Sequence, residues 1–116
     1  VNILDKIKVI IATDTPVFLG FMPAKPDDVI CLFEYQGAPP EHYFNKTDIV
    51  QSVQVKIRGK TSNQAYSVAE TVANTLNRYQ DNNISVLQSA SILDIGYDNA
   101  NPQRQEYTIN FKIRRI

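Results

Sequence analysis

A glycine, a lysine and a threonine between a strand and a helix can hold a phosphate, and Gly59-Lys60-Thr61 stands in such a place. The chemistry needs more than the triplet. A phosphate loop also requires a glycine five residues before the final Gly-Lys, so that a run of backbone N–H groups wraps the anion. That position is Gln54, and the apolar–polar alternation of Ser52 to Arg58 runs through it unbroken. A segment alternating with period two is a strand and not a loop. Nothing is left to wrap a nucleotide, and Thr61 reads instead as the cap of the helix that follows.

The remaining reactive side chains are isolated. His42 is the single histidine and Cys31 the single cysteine, whereas a zinc site takes several such ligands. Cys31 lies in the apolar run Val29 to Phe33 and is expected to be buried as a small hydrophobe; an internal disulfide is excluded. No Gly-x-Ser-x-Gly turn is present to expose a serine nucleophile. Asp27-Asp28 fits turn chemistry, and Asp94 to Glu106 lacks the alternating acids and central glycine of a calcium loop. The sequence therefore assigns no catalytic, cofactor-binding or metal-ligating residue. Its charged features are basic: Lys56, Arg58 and Lys60 around one strand, and Arg104, Lys112, Arg114 and Arg115 around another. If the two strands are neighbours, the sheet carries a basic patch. That patch is either a solvated face or a surface for acidic loops of a partner or a sister subunit. The aromatic interleaving that stacks bases is missing.

The elements that hold these residues are read from periodicity. Asn2 to Ala12 is a helix with an apolar stripe of Ile3, Leu4, Ile7, Ile10 and Ile11, ended by Asp14-Thr15-Pro16. Val17 to Met22 and Val29 to Tyr35 are strands, and Pro23 to Asp28 is the turn expected to join them as a hairpin. Val29 to Phe33 is apolar on both parities, so this strand is expected to be central and covered on both faces. Ser52 to Arg58 alternates and is expected to be covered on one face. The helix from Thr61 carries Ala65, Val68, Ala69, Val72, Ala73 and Leu76 at the spacing of one face. Those small residues let it lie close on the strand before it, and Asp81-Asn82-Asn83 is expected to stop it. Ile84 to Tyr97 and Gln105 to Arg115 form a long hairpin with a turn-rich tip from Asp98 to Gln103. Gln36 to Thr47 is irregular, and its aromatic pair Tyr43 and Phe44 either folds back on the core or docks on a partner.

The 116 residues make one domain, and the formal net charge is zero, unlike a general nucleic-acid or membrane-surface binder. No apolar run approaches the ~20 residues that span a bilayer, and the opening helix carries charges that a signal peptide lacks. The order predicts an α+β domain, residues 1–116, with a mixed or mostly antiparallel sheet of about five strands and two helices packed on one face.

Three stretches carry a resemblance: LGFMPAKPDDVICLFEYQGAPP, VQVKIRGKTSNQAYSVAETVANTLN and the final INFKIRRI. Together they resemble the minor capsid or tail-completion proteins, similar to tail terminators, of long-tailed phages and prophages of Gram-positive bacteria. The resemblance implies a virion structural protein and no enzyme or cofactor. It implies a self-assembled ring, hexameric as a rule, at the head-proximal end of the tail tube, assembled in the host cytoplasm. The implied partners are the tail-tube protein and head connector proteins, with no membrane and no sequence-specific nucleic acid; DNA at most passes through the ring. A tail-tube or other polymerising virion subunit is the alternative. On either reading the candidate interface residues are Pro39, Pro40, Tyr43, Phe44, Arg58, Lys60, Asn99, Asn101, Arg104, Lys112 and Arg114.

Overall fold

A computed structural model of the chain describes residues 2–35, 41–42, 47–48 and 50–115. Helix α1 (Ile3–Ile11) opens on Asn2, whose side chain accepts the Leu4 N–H, and closes on Ala12 in the left-handed conformation. Its buried residues are Ile3, Leu4, Ile7 and Ile11, the stripe expected from the spacing, with Ile10 half-buried against them. Strands β1 (Val17–Leu19), β2 (Val29–Tyr35), β3 (Glu41–His42), β4 (Thr47–Asp48) and β5 (Val50–Gly59) follow. Helix α2 (Ser62–Leu76) comes next, then β6 (Ile84–Gln88), β7 (Leu93–Tyr97) and β8 (Gln105–Arg115).

One mixed sheet takes six of these strands in the order β1-β2-β5-β8-β6, with β7 also on β8. β6 and β7 lie end to end along β8: Ile84 to Gln88 pair with Arg115 to Phe111, and Leu93 to Tyr97 with Thr108 to Gln105. The sheet is thus five positions wide, and the long hairpin expected from the sequence is present with a break between β6 and β7. β6 returns beside β8, not beside β5, so the last strand separates the two strands that α2 connects.

Both helices lie on the same face. Ile30, Leu32, Val55, Ile57, Ile109 and Phe111 point to them and form one core with Ala65, Ala69, Val72 and Leu76. Leu76 and these α2 alanines are buried, as their spacing required. Thr61 caps α2 by accepting the Gln64 N–H at 3.2 Å. The helix ends earlier than expected, at Leu76, where Asn77 caps it and Arg78 takes a positive φ of 68°. The cause is the next strand: Arg78 N donates to the Val86 carbonyl and Val86 N to the Tyr79 carbonyl, so the chain is already turning back along β6.

Two other expectations change. β1 and β2 are parallel, with Phe18 opposite Cys31, so Gly20 to Asp28 is a crossover and not the turn of a hairpin. The expected strand Val17 to Met22 ends at Leu19, where Gly20 adopts φ +82° and the chain leaves the sheet. Within the stretch read as irregular, β3 and β4 form a two-residue antiparallel ladder, Glu41 opposite Asp48 and His42 opposite Thr47.

Candidate functional site

The candidate site is a rim at one end of the sheet, where the crossover Gly20 to Asp28 meets the tip of the β7–β8 hairpin. The crossover is rich in proline and makes no ladder, so its carbonyls need partners from elsewhere. Arg58 supplies them. Its Nε donates to the Asp27 carbonyl at 3.1 Å, and its Nη2 to the carbonyls of Pro23 and Pro26, each at 2.7 Å. The planar fork of a guanidinium suits several acceptors at once. Arg58 is only 4 % exposed, and Val29, its cross-strand partner, is fully buried.

Arg104 ties the hairpin tip to the same crossover. Its Nε donates to Asp98 Oδ2 at 2.7 Å, and its Nη1 reaches the Ala24 carbonyl and, at 3.1 Å, Asp27 Oδ1. Asp98 closes the tip from within: its Oδ1 accepts the N–H groups of Ala100 and Arg104. Burial works to raise the Asp27 and Asp98 carboxyls, yet the hydrogen bonds and charge from Arg104, aided at Asp27 by Lys25, carry both below the ordinary carboxylate range. Asp28 Oδ1 accepts the Lys60 N–H at 2.9 Å, which fixes the strand-to-helix turn to the rim.

This arrangement positions backbone; it does not present a reactive group. Gly59 pairs with Gln105 as the last residue of the β5 ladder, so the Gly-Lys-Thr triplet contains no wrapping loop. A Cβ at Gly59 would stand 3.0 Å from the Ala65 nitrogen, which makes the glycine a packing requirement of α2 on β5. Cys31 is fully buried, and burial pushes its thiol up to about 11. Among the described residues no group of three His, Cys, Asp or Glu could hold a metal ion. No helix among them is long and apolar enough to cross a membrane.

The structure brings five of the sequence-nominated residues to the rim: Arg58 and Arg104 inside it, and Lys60, Asn99 and Asn101 exposed around it. Lys112 and Arg114 are exposed at the far end of β8. The single basic patch expected from neighbouring strands does not form. β5 and β8 are neighbours but antiparallel, so Arg58 lies opposite Glu106, while Lys112 lies opposite Ser52 and Arg114 opposite Val50. Lys56 lies opposite Thr108, four residues of strand or roughly 13 Å from Lys112, and Arg58 stands six residues or roughly 20 Å away. Pro39, Pro40, Tyr43 and Phe44 lie outside the described residues. What the sequence reading missed is the inward role of Arg58 and Arg104. The available signal was a proline-rich crossover whose carbonyls had no ladder to join.

Three comparisons with known proteins bear on this fold. The family model described as bacteriophage tail terminator protein matches residues 3–115. No curated protein matches the sequence. Eleven chains of known structure match, and one of them aligns over 94 % of this chain and 86 % of its own, with a TM-score of 0.57. Its identity is 12 %, so that likeness shows the fold alone. The family match takes in α1, α2 and every strand of the sheet, the rim included, and on it the chain belongs to the bacteriophage tail terminator family.

Proposed function

We propose that this protein forms the ring that closes the head-proximal end of the tail tube in a long-tailed phage or prophage of a Gram-positive bacterium. Family membership makes it a structural component of the phage tail, in contact with other tail and head proteins. The finer reading gives it two surfaces, one that stops tube growth and one that receives the head connector. It acts by contact and without catalysis. The observation that carries the reading is the family match across residues 3–115. The rim supports it: two guanidiniums hold two loops in a fixed shape, which suits a docking surface that must meet its partner preorganised.

Electron microscopy of virions that lack this protein tests the reading. The expected result is overlong tails without heads, restored to uniform length by the intact gene. Tails of normal length attached to heads in its absence overturn it. Tails that are missing altogether favour the alternative of a polymerising tail-tube subunit.

A further inference from the structure

The two halves of the sheet edge beside β8 are finished differently. Along β6 the open edge is covered by the residues after α2. Arg78 and Tyr79 exchange hydrogen bonds with Val86, Asp81 N donates to the Ile84 carbonyl, and Asn77 Oδ1 accepts the Gln88 N–H. Along β7 no strand or covering segment follows among the described residues; β7 pairs with β8 alone. Natural edge strands are protected by lysine, proline, β-bulges, inward-pointing charges or a covering segment; β7 carries one of these, a bulge between Asp94 and Gly96, beyond Leu93. β7 has no lysine or proline, and its Leu93, Ile95 and Tyr97 are 59 %, 39 % and 60 % exposed. Its one charge, the exposed Asp94, accepts hydrogen bonds from Gly96 N and Gln105 Nε2.

The opposite edge of the sheet is β1, with the uncharged sequence Val17-Phe18-Leu19 and the exposed Phe21 just beyond it. β1 and β7 lie at the same level. One cross-strand row runs Phe18, Cys31, Lys56, Thr108, Leu93, from the first edge to the last. β1 is parallel to β2, and each later step along the row is antiparallel. β1 and β7 therefore run in opposite senses, as two strands must to pair antiparallel, the slightly stronger of the two pairings.

We propose that the β7 edge of one copy pairs with the β1 edge of the next, continuing the sheet from subunit to subunit with Leu93 level with Phe18. Each copy offers both halves of the contact, and the halves agree in chain sense, level and apolar character. Such a contact is heterologous: it closes into a ring or runs on as a filament according to the rotation it imposes. The proposal rests on the reading that this chain assembles with itself, and it assigns the surface that does so. A three-residue ladder is short, so the contact forms on the tail, where the copies are held together.

The test uses virions complemented by the full-length variant Phe18→Cys/Leu93→Cys in a Cys31→Ala background, since Cys31 lies opposite Phe18 and would compete for the new thiol. The virions are treated with diamide and run on a non-reducing gel. The expected result is a reducible ladder of covalent oligomers of this chain from tails of normal length. Normal-length tails that yield only monomer overturn the edge pairing and leave the terminator reading intact. Cross-links from Leu93→Cys to a different virion protein overturn it in favour of a heterologous strand on the same edge. A second variant guards against a folding defect. Leu93→Lys/Ile95→Lys is expected to keep the wild-type melting temperature but to be lost from purified tails. Leu87→Lys, beside the covered β6 edge, is expected to leave incorporation unchanged. Wild-type incorporation of Leu93→Lys/Ile95→Lys overturns the proposal, whatever the phenotype of virions lacking the protein.

Discussion

The two faces of the sheet are closed by different physics. On the inner face, α1 and α2 cover apolar residues that alternate along every long strand, and the cohesion is non-directional burial. On the outer face no helix is present among the described residues. There the upper end is closed by a crossover whose carbonyls are held by Arg58 and whose Asp27 and Ala24 are held by Arg104. The inner face tolerates exchange of one hydrophobe for another of similar volume. The outer face depends on two particular side chains with directional bonds. The lesson is that a small sheet can bury part of its second face without a third layer, provided that a guanidinium replaces the missing ladder.

The largest loss is expected in the core. Phe111→Ala opens a cavity beneath α2, and a loss of about 3–5 kcal/mol in urea unfolding is expected. A loss no greater than that of a surface substitution would show that the inner face is not the main source of cohesion. On the outer face, Arg58→Ala strands the carbonyls of Pro23, Pro26 and Asp27, with an expected loss of about 2–3 kcal/mol. Arg58→Lys recovers only part of it, because one ammonium does not reproduce the fork. A double-mutant cycle of Arg58→Ala with Arg104→Ala sharpens the point. The two grip the same crossover, so a coupling of about 1 kcal/mol is expected, and strict additivity would mean that they act on independent loops.

The smallest effect is electrostatic. Asp27, Asp81 and Asp98 are all held below the usual carboxylate range, Asp81 chiefly by the Asn83 N–H and then by Lys6 and the Ile84 N–H. A carboxyl depressed in the folded state adds stability above its unfolded value of about 3.9 and loses it as the pH falls through the folded value. Melting temperature is therefore expected to drop on acidification below about pH 4, and Asp98→Asn to make that drop shallower. A drop of equal steepness in the variant would remove Asp98 from the account.

What was legible in the sequence follows the same division. Helix α1, helix α2, strand β5 and the β8 hairpin announce themselves by period, because burial on one face imposes 3.6 or 2 on the pattern. The parallel setting of β1 against β2 left no such trace: Pro23 to Asp28 has the composition of a tight turn whether it joins a hairpin or a crossover. Arg58 was legible as a basic residue and not as an inward one, because its partners are backbone carbonyls, which any sequence supplies; Arg104 was hidden because its carboxylate partner Asp27 lies 77 residues away in sequence. The early end of α2 was hidden likewise, since Arg78 and Tyr79 are claimed by β6 through main-chain bonds.

The position of β8 has a consequence in time. It is the last strand of the sequence and the one between β5 on one side and β6 and β7 on the other. While a ribosome is still making residues 105–115, β6 and β7 have no strand to join, and α2 covers a sheet that stops at β5. The open β7 edge does not exist until β8 is in place. A nascent or truncated chain thus lacks the β7 edge proposed to meet the next copy, and leaves the edge of β5 open in its place.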